Sequence, residues 1–350
     1  MQGTIINMLA DAYLHTLDPF AIQLTETIGL RWYGLAYITG FAFAWFIIQW
    51  MGKNKLSLIP YQKAGDLIFT GVIGVLIGGR VGYCLFYDPQ LIYTFTTSFP
   101  FWKLLAIQDG GMSSHGGMIG VLIAFIFFGK KNNIPILHLL DIAPFAAAPG
   151  LFFGRIANFI NGELWGKAIH TTQQQSPPFW SIKYPTEITE VWIQNPNLYE
   201  NKIQKLEELR STIPGETMFY QSIISEINQG NQAVIDFVAP LLTSWYPSQI
   251  FQALAEGPVI FIGILITWWY PRKPGVIASV FLILYGLTRI STEFFRQPDE
   301  GVELIASLSR GQVLSVVMIF SGIILFIFSQ LSTNKKTGGF GSLTKNTTTS

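Results

Sequence analysis

What most constrains this chain is the recurrence of apolar stretches near the length of a bilayer crossing. A span needs about 20 mostly apolar residues, each rising about 1.5 Å. Stretches of that kind run Tyr33–Met51, Asp66–Tyr87, Ile134–Ile160, Pro247–Tyr270, Gly275–Phe295 and Gln312–Leu331, with a shorter one at His115–Gly129. They predict an all-α integral membrane protein with seven transmembrane helices. Only 12% of residues are charged, where a soluble domain carries roughly 25%, and mean hydropathy is +0.38. The net charge of +1 offers no footprint for nucleic acid. The single cysteine, Cys84, excludes an intrachain disulfide and any multi-cysteine metal site; within an apolar helix it reads as an inert packed thiol. The first thirty residues carry acids and no basic run, so a cleavable signal peptide is not expected.

Charge orients the spans. Lys53, Lys55, Lys63, Lys130, Lys131, Arg272, Lys273, Lys335, Lys336 and Lys345 follow alternate spans. The opposite connections hold Asp11, Asp18, Glu26, Asp88, Asp109, Asp299, Glu300 and Glu303. Basic loops stay cytoplasmic, which predicts an external N-terminus and a cytosolic C-terminus. The chain then divides into a membrane part of four spans (1–163), a small extracytoplasmic head (164–246), a membrane part of three spans (247–331) and a disordered cytosolic tail (332–350). The head is polar and proline-rich, and a loose build is expected. Within it, Leu198, Ile203, Leu206 and Leu209 are spaced as on an amphipathic helix. Gly74/Gly78/Gly82, Gly116/Gly120 and Gly150/Gly154 have the small-residue spacing of tight helix packing.

The stretch Pro149–Gly166, PGLFFGRIANFINGELWG, breaks the apolar pattern. Arg155 and Asn158 are three apart and share a helix face, and the helix then gives way to Asn161, Gly162 and Glu163. An arginine in a membrane helix costs about 2.5–3.5 kcal/mol on insertion scales, so an anionic partner is expected, and a lipid phosphate fits. Tyr285, Arg289, Glu293 and Arg296 form a stripe on one face of the sixth span, and Arg80 lies near the end of the second. With the predicted orientation, these residues, together with Tyr33 and His115 at the starts of their spans, share an outer-leaflet depth. Other readings stand beside this one. Arg289 and Glu293 neutralise each other, Arg296 snorkels, Arg80 ties helix-end carbonyls, Tyr33 joins an aromatic belt, and Glu163 serves a helix end. His15, His138 and His170 are expected to have no chemical role, and Asp141 suits the dipole of its own helix N-terminus. His115 stands among glycines in DGGMSSHGG, where backbone approaches a ligand closely. No HExxH, GxSxG, Walker A or GxGxxG motif is present.

GGRVGYCLFY (78–87), DGGMSSHGG (109–117), GRIANFINGELWG (154–166) and RISTEFFRQPD (289–299), with RWYGLAYITGF (31–41), resemble the motifs of the bacterial prolipoprotein diacylglyceryl transferase family. The resemblance implies transfer of the diacylglyceryl group of phosphatidylglycerol to the lipobox cysteine thiol of a prolipoprotein signal peptide. It implies release of glycerol phosphate, no metal or organic cofactor, and a multi-pass place in the bacterial cytoplasmic (inner) membrane. It ties Tyr33, His115, Arg155, Asn158, Glu163, Gly166, Tyr285, Arg289 and Glu293 to activity. The chain departs from the family where a His-Pro-Ser-Gln-x-Tyr-Glu stretch opens the fifth span. Here Tyr246, Phe251 and Gln252 replace histidine, tyrosine and glutamate, and the segment from Gly166 to Tyr246 is longer.

The chemistry then assigns roles. Charge gathers on phosphate oxygens as the glyceryl C–O bond breaks, and guanidinium forks hold such oxygens in pairs. Arg155 and Arg289 are expected at the phosphate, with Asn158, Gly166, Tyr285, Glu293 and Arg80 in the phosphatidylglycerol site. His115 is expected to take the thiol proton, Tyr33 and Glu163 to serve catalysis, and Glu163 and Glu293 to orient the arginines. A base role for Glu163 is the alternative. Two rivals of other classes are a transporter of anionic lipids and a non-catalytic scaffold.

Overall fold

The structure, a computed structural model, describes residues 12–23, 29–213, 218–297 and 309–340. Asp11, Glu26, Asp299, Glu300, Glu303 and Lys345, used above to orient the spans, lie outside the described residues, as do 341–350 of the tail. The chain is mostly helical. In order, the long helices are α1 (Trp32–Lys53), α2 (Ala64–Phe86), α3 (Ser114–Asn132) and α4 (Ile136–Ile160). Three shorter ones follow: α5 (Pro196–Glu207), α6 (Phe219–Asn228) and α7 (Gln232–Val238). Then come α8 (Ser248–Leu254), a π-helical turn (Ala255–Val259), α9 (Ile260–Trp268), α10 (Val276–Glu293) and α11 (Arg310–Leu331). Among the described residues, six helices are long and apolar enough to cross a membrane: Trp32–Lys53, Tyr61–Phe86, Ile136–Ile160, Ser248–Trp268, Val276–Glu293 and Gly311–Leu331. The chain is thus a helical, multi-pass membrane protein. The predicted third span is a helix of 19 residues, α3, carrying Lys130 and Lys131 in its last turn.

The chain forms two compact units whose boundaries fall inside helices. One comprises Met1–Ile38, Leu151–Pro258 and Leu287–Ser315; the other comprises Thr39–Gly150, Val259–Gly286 and Val316–Ser350.

The second unit has an apolar core of Ile48, Met51, Leu67, Phe128, Leu139, Phe145, Ile264, Trp268 and Ile277, among others. The glycine spacing of α2 and α3 has its expected consequence. A Cβ on Gly82 would sit 2.7 Å from Gly116 Cα, and one on Gly78 2.7 Å from Gly120 Cα, so only glycine lets these backbones meet. Gly150 and Gly154 differ: among the described residues, nothing beyond their own helix backbone and chain neighbours lies within 4 Å of a Cβ added at either. Asp141 does serve a helix N-terminus, but not its own. Its carboxylate accepts from Gly275 N (2.7 Å) and Ala278 N (2.9 Å) at the start of α10, satisfying donors that the helix leaves open. His138 accepts from Leu58 N at 3.0 Å, a structural tie. The tail folds back in part. Arg272 and Thr337 pair backbone to backbone, and Phe340 packs near Trp50, Phe145 and Trp268. An aromatic ring in an otherwise polar tail supplies the apolar area for this.

The first unit contains segment 164–246, which is better built than its composition suggests. Ile188, Trp192, Leu206, Phe219, Ile223, Ile227, Val234, Val238 and Leu242 make a separate core. The amphipathic spacing holds for Ile203, Leu206 and Leu209, which pack there. Leu198 is 80% exposed, because it precedes a kink at Tyr199 (φ −115°, ψ 15°) that turns the first residues of α5 away from the register. Glu187, fully enclosed, is the hub of the segment: it accepts from Trp192 Nε1 (2.8 Å), Thr243 N (2.8 Å) and Thr243 Oγ1 (2.6 Å). Short strands β1 (Tyr13–Leu14), β4 (Ile182–Lys183) and β5 (Ser244–Trp245) form one small sheet. Strands β2 (Phe20–Gln23) and β3 (Gly29–Arg31) form a second, antiparallel pair. The apolar patterning had not announced either sheet, because two- to four-residue strands carry too little alternation to be read.

His15 is buried between Phe159 and Tyr184, its Nε2 2.7 Å from the Phe159 carbonyl. Burial holds this imidazole below its ordinary value of 6.5, against the raising effect of the Phe159 carbonyl. The unfolded chain therefore binds the proton first as pH falls. Stability present above pH 6.5 is lost as pH drops toward the folded value. We expect the melting temperature in detergent to fall between pH 7.5 and 5.5, and His15→Gln to flatten that slope. An equal slope in the variant would assign the acid sensitivity to other groups.

Candidate functional site

The first unit assembles most of the expected site. Arg155 and Asn158 leave the last turns of α4, and Glu163 follows the turn at Gly162, whose φ of +64° suits glycine. Several ties from the same unit fix this exit. Trp165 Nε1 donates to Gly162 O (2.5 Å), Gln249 Nε2 to Glu163 O (2.7 Å), and Ser248 Oγ to Leu164 O (3.1 Å). Trp165 stacks on Tyr184 at 5.0 Å. Gly166 N donates to Tyr246 O (3.2 Å), and Gly166 also bridges to Arg296. A Cβ at Gly166 would press on the Tyr246 and Phe295 carbonyl oxygens. Here the glycine is required by close backbone approach.

Two polar groups result. In one, Tyr33 OH donates to Glu163 Oε1, Asn158 Nδ2 donates to Tyr33 OH, and Asn158 Nδ2 reaches Glu163 Oε1 at 2.9 Å. Three residues more than a hundred positions apart at the extremes thus share one oxygen. Close by in charge terms is Glu190: burial, and then the Glu163 carboxylate, raises its carboxyl above the ordinary value.

The other group joins the arginines. Arg155 forks Glu256 through Nε (2.9 Å) and Nη2 (3.4 Å). Arg289 Nη1 lies 3.6 Å from the same carboxylate and donates to Gln252 Oε1 at 3.1 Å. Arg289 Nη2 is 3.6 Å from Glu293 Oε2, and Arg296 Nη1 is 3.8 Å from Glu293 Oε1. Ser309 Oγ donates to Glu293 Oε1 (2.9 Å), while Glu293 Oε2 is buried without a hydrogen bond among the described residues. Arg155 and Arg289 thus converge from different helices on one carboxylate. The i,i+4 pairing of Arg289 with Glu293 is present, but Arg289 also reaches across to Glu256.

Glu256 went unnoticed in the sequence, although a signal was there. It is an acid inside an apolar stretch, which is by default a candidate functional residue. Gln252 answers the departure noted above: with no charge, its side-chain oxygen still accepts from Arg289.

The remaining expected residues belong to the second unit. Arg80, 4% exposed, donates to four main-chain carbonyls: Leu104 (2.8 Å), Lys103 (2.6 Å), Gly110 (2.5 Å) and Gly111 (3.1 Å). That arrangement makes it the fastener of the loop before α3. His115 is exposed in the first turn of α3, just after Ser113, whose side chain caps the helix by accepting from Gly116 N at 3.2 Å. Tyr285 is half-buried on α10 and stacks on Phe281 at 5.9 Å. No group of three or more metal-binding side chains occurs among the described residues.

Comparison with known proteins bears on this arrangement. Residues 19–328 match the family model described as prolipoprotein diacylglyceryl transferase. The chain is 38% identical over 334 residues to the phosphatidylglycerol–prolipoprotein diacylglyceryl transferase of Bdellovibrio bacteriovorus, covering 90% of this chain and 93% of that protein. It is 34% identical to the protein of the same name from Xylella fastidiosa strain M23 (91% and 94% covered). With that from Psychrobacter arcticus the identity is 35% (89% and 93% covered). The matched stretch includes the residues that build the site, and on these grounds the chain belongs to the prolipoprotein diacylglyceryl transferase family.

Proposed function

We propose that this protein is a membrane transferase that moves the diacylglyceryl group of phosphatidylglycerol to a prolipoprotein. The observation that carries this reading is its likeness, over 90% of the chain, to a protein named for that reaction. In the finer form, the acceptor is the lipobox cysteine of a signal peptide. Its thiol loses a proton to a base, a sulfur–carbon bond forms, and the carbon–oxygen bond to phosphate breaks. Glycerol phosphate departs with the electron pair. The protein's part is to hold the phosphate while charge builds on it. Arg155 and Arg289 suit that task, because both are largely buried, where their charge is weakly screened. Tyr33, Asn158 and Glu163 form a second polar wall, and Gly166 holds their loop. Tyr285, Glu293 and Arg80 are assigned to binding phosphatidylglycerol. His115 is the base.

The reading also places seven spans in the bacterial inner membrane, with the N-terminus and segment 164–246 outside and the C-terminus in the cytosol. No step calls for a metal or organic cofactor.

The test is incubation of purified protein in detergent with phosphatidylglycerol and a lipobox peptide. A mass gain of one diacylglyceryl group on the peptide cysteine is expected. Lipid movement across vesicles with no such gain would instead support a transporter. His115→Gln should slow the reaction by about 10²–10⁴, the span of general-base contributions, and lose the acid limb of the pH–rate profile. An unchanged profile would move the base elsewhere.

A further inference from the structure

The least expected feature of the first unit is a carboxylate with no solvent exposure set in an apolar helical stretch. Glu256 is 0% exposed, and its oxygens face the two arginines assigned to the phosphate. Its backbone is unusual as well: Ala255–Val259 is a π-helical turn containing Pro258. Such turns re-aim side chains and cluster at functional sites. Gly257 lets that turn lie against α4, since a Cβ there would come 2.6 Å from Phe152 Cβ.

A guanidinium has two edges that can each hold a pair of oxygens. Arg155 commits its Nε–Nη2 edge to Glu256, and among the described residues Nη1 makes no hydrogen bond. The edge built on Nη1 is the one a phosphate oxygen can take. Arg289 is held on three sides, by Gln252, Glu256 and Glu293. Two converging cations would swing apart without a charge between them. With Glu256 and Glu293 set against Arg155, Arg289 and Arg296, three positive and two negative groups leave a single positive charge, already in place before lipid arrives.

We propose that Glu256 is a positioning residue of the transfer reaction, clasping Arg155 and Arg289 so that they meet the departing phosphate without rearranging. It touches no reacting atom; it acts through the arginines. The proposal rests on the phosphatidylglycerol-transfer reading above.

The experiment measures kcat and KM for phosphatidylglycerol with the full chain in detergent and a lipobox peptide as acceptor. Glu256→Gln keeps the volume and removes the charge. It should lower kcat at least tenfold with KM unchanged or lower, because the site becomes more positive but less ordered. Glu256→Asp keeps the charge one methylene short of the arginines and should also lose at least tenfold in kcat. Wild-type kcat in Glu256→Gln overturns the proposal, and so does a raised KM with kcat held. If Glu256→Gln does not accumulate in membranes, Glu256→Asp decides, and wild-type kcat there overturns it equally. Should the wild-type protein modify no peptide, the transfer reading itself fails. The clasp is then judged from melting temperatures of Glu256→Gln, Arg155→Gln and the double variant. Non-additive shifts support it, and simple addition ends it.

Discussion

Replacing Arg155 with lysine is expected to reduce kcat for diacylglyceryl transfer by about 10²–10³, the range found when one preorganised donor is lost from a charged transition state. That corresponds to about 2.7–4 kcal/mol of barrier. The charge is kept, so a purely electrostatic role would predict far less. What lysine loses is the fork: Arg155 holds Glu256 through two nitrogens and still has a third for a ligand. An ammonium is a point charge that cannot serve both partners in fixed geometry. Losing the guanidinium's two-point hold also loosens a tie to a fully enclosed carboxylate, so some loss of stability is expected as well. Single-turnover rates on peptide, beside melting curves of the same preparations, separate the two effects. Near-normal transfer by the lysine variant would remove Arg155 from the phosphate.

The second large effect is expected at Gly166, which the sequence placed among lipid-binding residues. In the structure a methyl group there presses on two carbonyl oxygens, those of Tyr246 and Phe295. Neither can yield without moving its backbone. Gly166→Ala should destabilise the protein by about 1–3 kcal/mol, the usual cost of overpacking. It should cut transfer more than tenfold, because the displaced segment carries Glu163 and, through it, Tyr33 and Asn158. Gly154→Ala is the matched control. Its Cβ meets nothing within 4 Å, so its stability should stay within about 0.5 kcal/mol. Thermal unfolding of the pair in one detergent checks both, and equal melting temperatures for Gly166→Ala and wild type would discard the packing argument.

Much of the candidate site could be read from sequence because intramembrane charges are rare and advertise themselves. Arg155, Asn158 and Glu163 stood out against an apolar background, as did the stripe that carries Arg289 and Glu293. Glu256 is equally visible by that criterion, an acid within an apolar stretch. Arg80 is the opposite case. Its charge and depth matched those of Arg155, yet among the described residues its hydrogen bonds all go to main-chain carbonyls. A sequence names a cation but not its partners when those partners are backbone atoms, which every residue carries. Segment 164–246 was underestimated because its core gathers single apolar residues from many short elements, and no local window shows them together.

The sequence alone determined that this chain is helical, crosses a membrane many times and carries cations there. Run length and the cost of burying charge are local properties that survive without a fold. Only the tertiary structure decided that Arg155 and Arg289 meet at Glu256, and that Gly166 is there for contact between backbones. Those facts depend on distances between residues as far apart in the chain as Arg155 and Glu256, separated by 101 positions, which no local pattern encodes.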